Sequence, residues 1–206
     1  MVDIVIEAYE DALGFVGETS RMTHLHLRIA ALAKTHGDDF AAAESHLKRA
    51  LDLDGQNEEA IEALVALFVE AERWNDAVDY LEKKAAAADD AEERVSIMAR
   101  SARLLEESAG DTPAALEVYR RALELLPEHG PTLEAYVALL ERAADWETLV
   151  GALRRQGELA EDDAARITVL RRIAQVHEQE LEQHDAAVAT YREVLDIDAQ
   201  DSDALR

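Results

Sequence analysis

Three arginines, Arg28, Arg100 and Arg172, stand at a common spacing of 72, with Arg103 and Arg171 beside the last two. Glu62 and Glu134, also 72 apart, fall between them, so the order along the chain is Arg28, Glu62, Arg100, Glu134, Arg172. A guanidinium presents a planar fork of donors that matches a carboxylate. A row of such forks could hold the acidic side chains or the C-terminal carboxylate of a peptide. The same row could instead close on itself as ion pairs between helices, which add little stability when exposed. Seven histidines raise the question of a metal. His177, Glu180 and His184 are the densest group and His24 with His26 the next. His184 stands near a turn, however, and a spacing of two puts His24 and His26 on different helix faces. Neither a metal site nor a cofactor is expected. The chain has no G-x-S-x-G, P-loop or H-E-x-x-H motif, so no enzymatic role is expected either.

What must position these residues is a repeat. Trp74 recurs as Trp146, Leu51 as Leu123 and Leu195, Ala43 as Ala115 and Ala187, and Ala30 as Ala102 and Ala174, all at a spacing of 72. Self-similarity at a fixed period means one supersecondary unit stacked on copies of itself. Within each period, a step of 34 alternates with a step of 38, from Ala43 through Ala77, Ala115 and Leu149 to Ala187. Each step reads as two helices. In the first, Leu25, Ile29 and Leu32, then Ala43, Leu47 and Ala50, recur at intervals of three and four, the mark of an amphipathic helix. The pattern predicts helices over 3–14, 21–36, 40–53, 58–72, 75–88, 92–108, 113–126, 131–143, 146–159, 164–181 and 185–197, and no strand. Asn57, Asp90, Asp111 and Asp163 are the N-cap candidates. The units fall at 21–56, 57–91, 92–129, 130–163 and 164–200, between partial units 1–20 and 201–206. Neither end carries a clear polar cap, which points to a segment of a longer array or to ends covered by a partner.

Composition restricts the partners. Acidic residues number 45 against 21 basic ones, for a net charge of -24. That charge repels nucleic acid and an anionic membrane surface, and leaves a basic protein as an allowed partner. Aromatic residues are only 5%, which weakens any case for a base-stacking platform. With no cysteine, disulfides and thiolate sites are absent. The apolar run 61–71 contains Glu62 and Glu70 and is too short to span a bilayer. Residues 1–7 have no basic flank, so no signal peptide is expected and the cytoplasm is the expected compartment, unless the chain is a fragment of a longer protein.

The second helix of each step carries a family resemblance. In residues 114–127, Ala115, Tyr119, Ala122 and Pro127 stand at i, i+4, i+7 and i+12, after Gly110-Asp111. Ala43, Leu47 and Ala50 fill the same slots after Gly37-Asp38, and so do Ala187, Tyr191 and Val194. This pattern resembles the tetratricopeptide repeat (TPR). Ala77 and Leu81 conform, whereas Leu149 replaces the small residue. The resemblance implies an all-α, right-handed solenoid of antiparallel helix pairs. It also implies a non-enzymatic protein–protein interaction scaffold that takes a peptide segment or helix along a concave groove lined by first helices, where Arg28, Arg100, Arg103, Arg171, Arg172, Glu62 and Glu134 would lie. The Lys/Asn carboxylate clamp of some family members is missing. Two other roles remain open: a structural spacer or self-assembling segment that associates head to tail, and a regulatory arm of a multidomain enzyme.

Overall fold

Small residues set how closely these helices approach. Ala43, Ala77, Ala115 and Ala187 are all buried, as is Leu149 in the equivalent slot. One turn on, Leu47, Leu81, Tyr119 and Leu153 are buried beside them, filling the groove that the small side chain leaves. The computed structural model describes residues 2–37 and 39–205. Among these there are eleven α-helices and no strand. They are α1 (Val2–Leu13), α2 (Thr19–Gly37), α3 (Phe40–Leu53), α4 (Glu58–Glu70), α5 (Trp74–Ala87), α6 (Ala91–Leu104), α7 (Thr112–Leu125), α8 (Gly130–Arg142), α9 (Trp146–Glu158), α10 (Asp163–Gln175) and α11 (His184–Ile197). Two compact bodies divide the chain, Met1–Tyr80 and Leu81–Arg206. In the first, α2 packs on α1 and α3, and α3 on α4; in the second, α6 to α11 pack each on the next.

The extra residues of the long steps lie in the first helices. α4 and α8 have 13 residues each, whereas α2 has 19. α6 runs on into a π-helical turn at Leu105–Ala109, and α10 into one at Val176–Glu180. The sequence pattern predicts uninterrupted α-helix over 92–108 and 164–181; each instead widens in its last turn. There the amide of Leu181 donates to the carbonyl of Val176, five residues back. Hydrophobic periodicity does not register this widening, because no further helical turn follows to display a shifted apolar face.

Carboxylates and amides start the helices. Asp39, Asn57, Asp90, Asp111, Asp145 and Asp162 each accept a backbone N–H three residues on. The cap of α10 is therefore Asp162, not Asp163, which is the first residue inside the helix. Asp38 lies outside the described residues. Residues 202–205 form a turn rather than the opening of another first helix. Asp201 organises that turn by accepting the amides of Asp203 and Ala204.

The helix ends repeat too. Glu72 and Ala144, one period apart, close α4 and α8 with φ of 54° and 55°, while Gly110 and Glu182, again one period apart, follow the two π-turns at 66° and 55°. Left-handed backbone disfavours every residue but glycine. The amides of Arg73 and Asp145 complete the ends of α4 and α8 by donating to Phe68 and Leu140. We expect Ala144→Gly to raise stability by about 0.5–1 kcal/mol and Gly110→Ala to lower it by about 1 kcal/mol. Ala115→Leu should cost about 1–3 kcal/mol by overpacking. Urea unfolding followed by circular dichroism measures all three.

Candidate functional site

Several of the arginines picked out by spacing are engaged within the protein. Arg172 is held by Glu141, and Arg171 by Asp201 and, at 3.3 Å, by Asp203. Asp201 is buried, and the hydrogen bond from Arg171 holds its carboxyl below the usual carboxylate range despite that burial. Burial pushes the pKa of Tyr119 up, and the Arg103 guanidinium near its hydroxyl partly offsets that rise. Arg100 is half-buried and Glu62 exposed, and both are engaged within the protein. Glu134 is exposed on α8. Arg28, on α2, is exposed and has no ion-pair partner among the described residues. Arg100, Arg171 and Arg172 are thus engaged by groups of the protein itself.

The first-helix side of the Met1–Tyr80 body is cut by a cleft of about 200 Å³ between α2 and α4, over α3. Small side chains make it: Ala30, Ala31, Ala63 and Ala66, with Leu27 and Leu67. Arg28 stands one helical turn from Ala31. Lys34 crosses the cleft's edge to Glu70, at 2.5 Å. In the Leu81–Arg206 body the clefts open instead between second helices. One of about 290 Å³ lies among α5, α6 and α7, and one of about 410 Å³ among α7, α8 and α9.

Sequence spacing misses a pair of buried histidines. His26 on α2 and His46 on α3 are both buried, with their Nδ1 atoms 2.9 Å apart. One ring donates and the other accepts, so at least one Nδ1 is deprotonated. Glu10 of α1 reaches His46 Nε2 at 3.5 Å. Burial depresses the pKa of both rings; the neighbouring ring adds to this for His26, Arg49 pushes the same way for both, and Glu10 partly offsets it for His46. The signal that could have found them is the repeat register: one period on from these histidines stand Met98 and Val118, both buried.

The other histidines form no comparable cluster. His24 is exposed, His177 pairs with Gln183 at 3.0 Å, and Glu180 and His184 are exposed. Among the described residues there is no group of three or more acidic residues or histidines arranged for a metal ion. Trp74 and Trp146 open α5 and α9 and are each half-buried. Among the described residues, no helix is long and apolar enough to cross a membrane.

Residues 171–201, from the second half of α10 through α11, match the family model for the tetratricopeptide repeat. The chain has a TPR-like helical repeat fold. The C-terminal part of a TPR repeat-containing protein from Cytophaga hutchinsonii has the same fold, at 15% identity and a TM-score of 0.54, with 99% of this chain and 80% of that one covered. A tetratricopeptide repeat protein from Parabacteroides merdae is similar at 16% identity and a TM-score of 0.50, covering 88% and 68%. No curated protein matches the sequence. The TPR-like protein is therefore all-α, with the fold of tetratricopeptide solenoids.

The buried histidines tie the stability of this TPR-like protein to pH. Their folded-state pKa values lie below the unfolded ones, so folding favours the neutral rings. Stability is then fully present above about pH 6.5 and falls as pH drops from there toward the folded values, because the unfolded chain binds more protons. The double variant His26→Met, His46→Val, copying Met98 and Val118, should flatten the dependence between about pH 5.5 and 7. Melting temperatures across that interval would show it.

Proposed function

We propose that this chain is a non-enzymatic protein–protein interaction scaffold that takes a peptide segment or short helix on the first-helix face of α2 and α4. The observation that supports this most directly is the alanine-lined cleft between these helices. It is apolar at its base, wide enough for one or two side chains, and has the exposed guanidinium of Arg28 nearby. An apolar anchor in the cleft with a carboxylate reaching Arg28 would use both features. The net charge of -24 favours segments that are otherwise basic. Arg100, Arg103, Arg171 and Arg172 are assigned to internal contacts in this reading.

A second reading, self-association, is favoured by exposed apolar side chains. Phe15 is 91% exposed and Ile4 69%, and Leu205 is 63% exposed. Isolated apolar residues are ordinary on a surface, but two on one short segment beside a repeat face are the pattern of a stacking edge.

Peptides selected on the wild-type chain from a random-sequence array test the first reading. Ala66→Leu, at an exposed position, should fill the cleft and lower their affinity at least tenfold, and Arg28→Ala should weaken those bearing a carboxylate by severalfold, both with unchanged circular dichroism. Undiminished affinity in both variants removes the reading. For the second, sedimentation that is independent of concentration, and identical for Phe15→Ser, would remove self-association.

A further inference from the structure

The cleft among α5, α6 and α7 occupies a slot that the period repeats, and in this copy its floor residue is small. Its side walls carry Met98 and Val118. In the preceding copy the equivalent residues are His26 and His46, whose rings are hydrogen-bonded to each other. In the following copy they are Leu170 and Thr190, both buried. The floor differs as well: Ile29 and Ile173 are completely buried in the outer copies, and Ser101 stands between them in the register. The cleft over Ile173 measures about 100 Å³, and the one over Ser101 about 290 Å³. The smaller residue has opened the slot.

Ser101 does more than leave space. It is 1% exposed, and its Oγ has no hydrogen-bond partner among the described residues. A buried hydroxyl without a partner is costly, and Ser101 lines the cleft together with the apolar side chains of Leu81, Ala85, Met98 and Val118. The charged groups at the rim are already engaged, Glu124 by Arg120. Arg94 donates to the carbonyls of Ala85 and Ala88, at 3.2 and 2.6 Å, and Arg121 donates to Glu82 at 3.3 Å. A cleft with balanced charge at its mouth suits a neutral occupant. The floor requires one polar atom at that occupant's far tip, beyond an apolar body.

We propose that this cleft is a binding site for a neutral phenol, with the hydroxyl on Ser101 Oγ and the ring between Met98 and Val118. Phenolic O–H both donates and accepts, as the serine hydroxyl does. The ring meets the Met98 thioether, a favourable neighbour for an aromatic group. Charged tips such as ammonium or carboxylate are excluded by the cost of burying them. Size agrees, since an apolar cavity of about 150 Å³ already holds benzene. This site is separate from the α2–α4 cleft and does not depend on it. A phenol can come from a tyrosine side chain of a partner or from a free aromatic metabolite.

Calorimetric titration of the full chain with p-cresol, toluene and N-acetyl-tyrosinamide tests the assignment. p-Cresol should bind roughly tenfold more tightly than toluene. Ser101→Ala, which keeps the space and removes the hydroxyl, should erase that preference. Ser101→Ile, which restores the residue of the neighbouring copies, should abolish binding of both. Binding of N-acetyl-tyrosinamide together with p-cresol supports a tyrosine side chain as the source; binding of p-cresol alone supports a free phenol. Equal affinity for toluene and p-cresol in the wild type, persistence of the preference in Ser101→Ala, or no binding of any probe overturns the proposal.

Discussion

Two helices approach closely at an alanine in most of these repeats, and the remaining structure depends on that contact. A single helix pair has an apolar face that it cannot bury by itself, so each pair is stable only when its neighbour covers that face. Ala43, Ala115 and Ala187 permit the approach, and the larger side chain one turn on locks it. The consequence for function is direct. Surfaces in such an array arise between units, and the cleft among α5, α6 and α7 lies where Ser101 is smaller than its counterparts Ile29 and Ile173.

The alanine register made the fold legible in the sequence. Helix positions, the pairing of neighbours and the caps at Asn57, Asp90 and Asp111 follow from residue types at fixed spacings, and the family pattern over 114–127 agrees with the match over 171–201. The site was less legible. Arg172 and Arg171 stand where spacing places them, but Glu141 and Asp201 lie outside the periodic row, and a side chain's partner depends on helix rotation, which periodicity fixes only coarsely. The π-turns at Leu105–Ala109 and Val176–Glu180 escaped because they fall where the helices end. His46 and Ser101 are visible only by comparing copies: each is a polar residue in a slot where another copy carries an apolar one. Reading the repeat for what the copies share finds the scaffold; reading it for what differs finds the sites.

Differences between copies also bear on how the chain avoids mispairing. Lys34 of α2 meets Glu70 of α4, and one period on, Glu106 meets Arg142 of α8. The geometry is retained while the signs are exchanged. Likewise Glu82 of α5 meets Arg121 of α7, and one period on, Arg154 of α9 meets Glu193 of α11. Pairs with an exposed partner, as each of these has, contribute little to the stability of the native state. Their effect on the alternatives is larger. Near-identical units invite a helix to dock in the slot of another copy, since the alanine contact would accept it. In that event Lys34 would face Arg142 and Glu106 would face Glu70, while Glu82 would face Glu193. Like charges in contact penalise each such exchange, whereas the native order has every one of these pairs matched. The sign inversion therefore opposes such exchanges, which the alanine contact alone does not, because that contact is the same wherever it recurs.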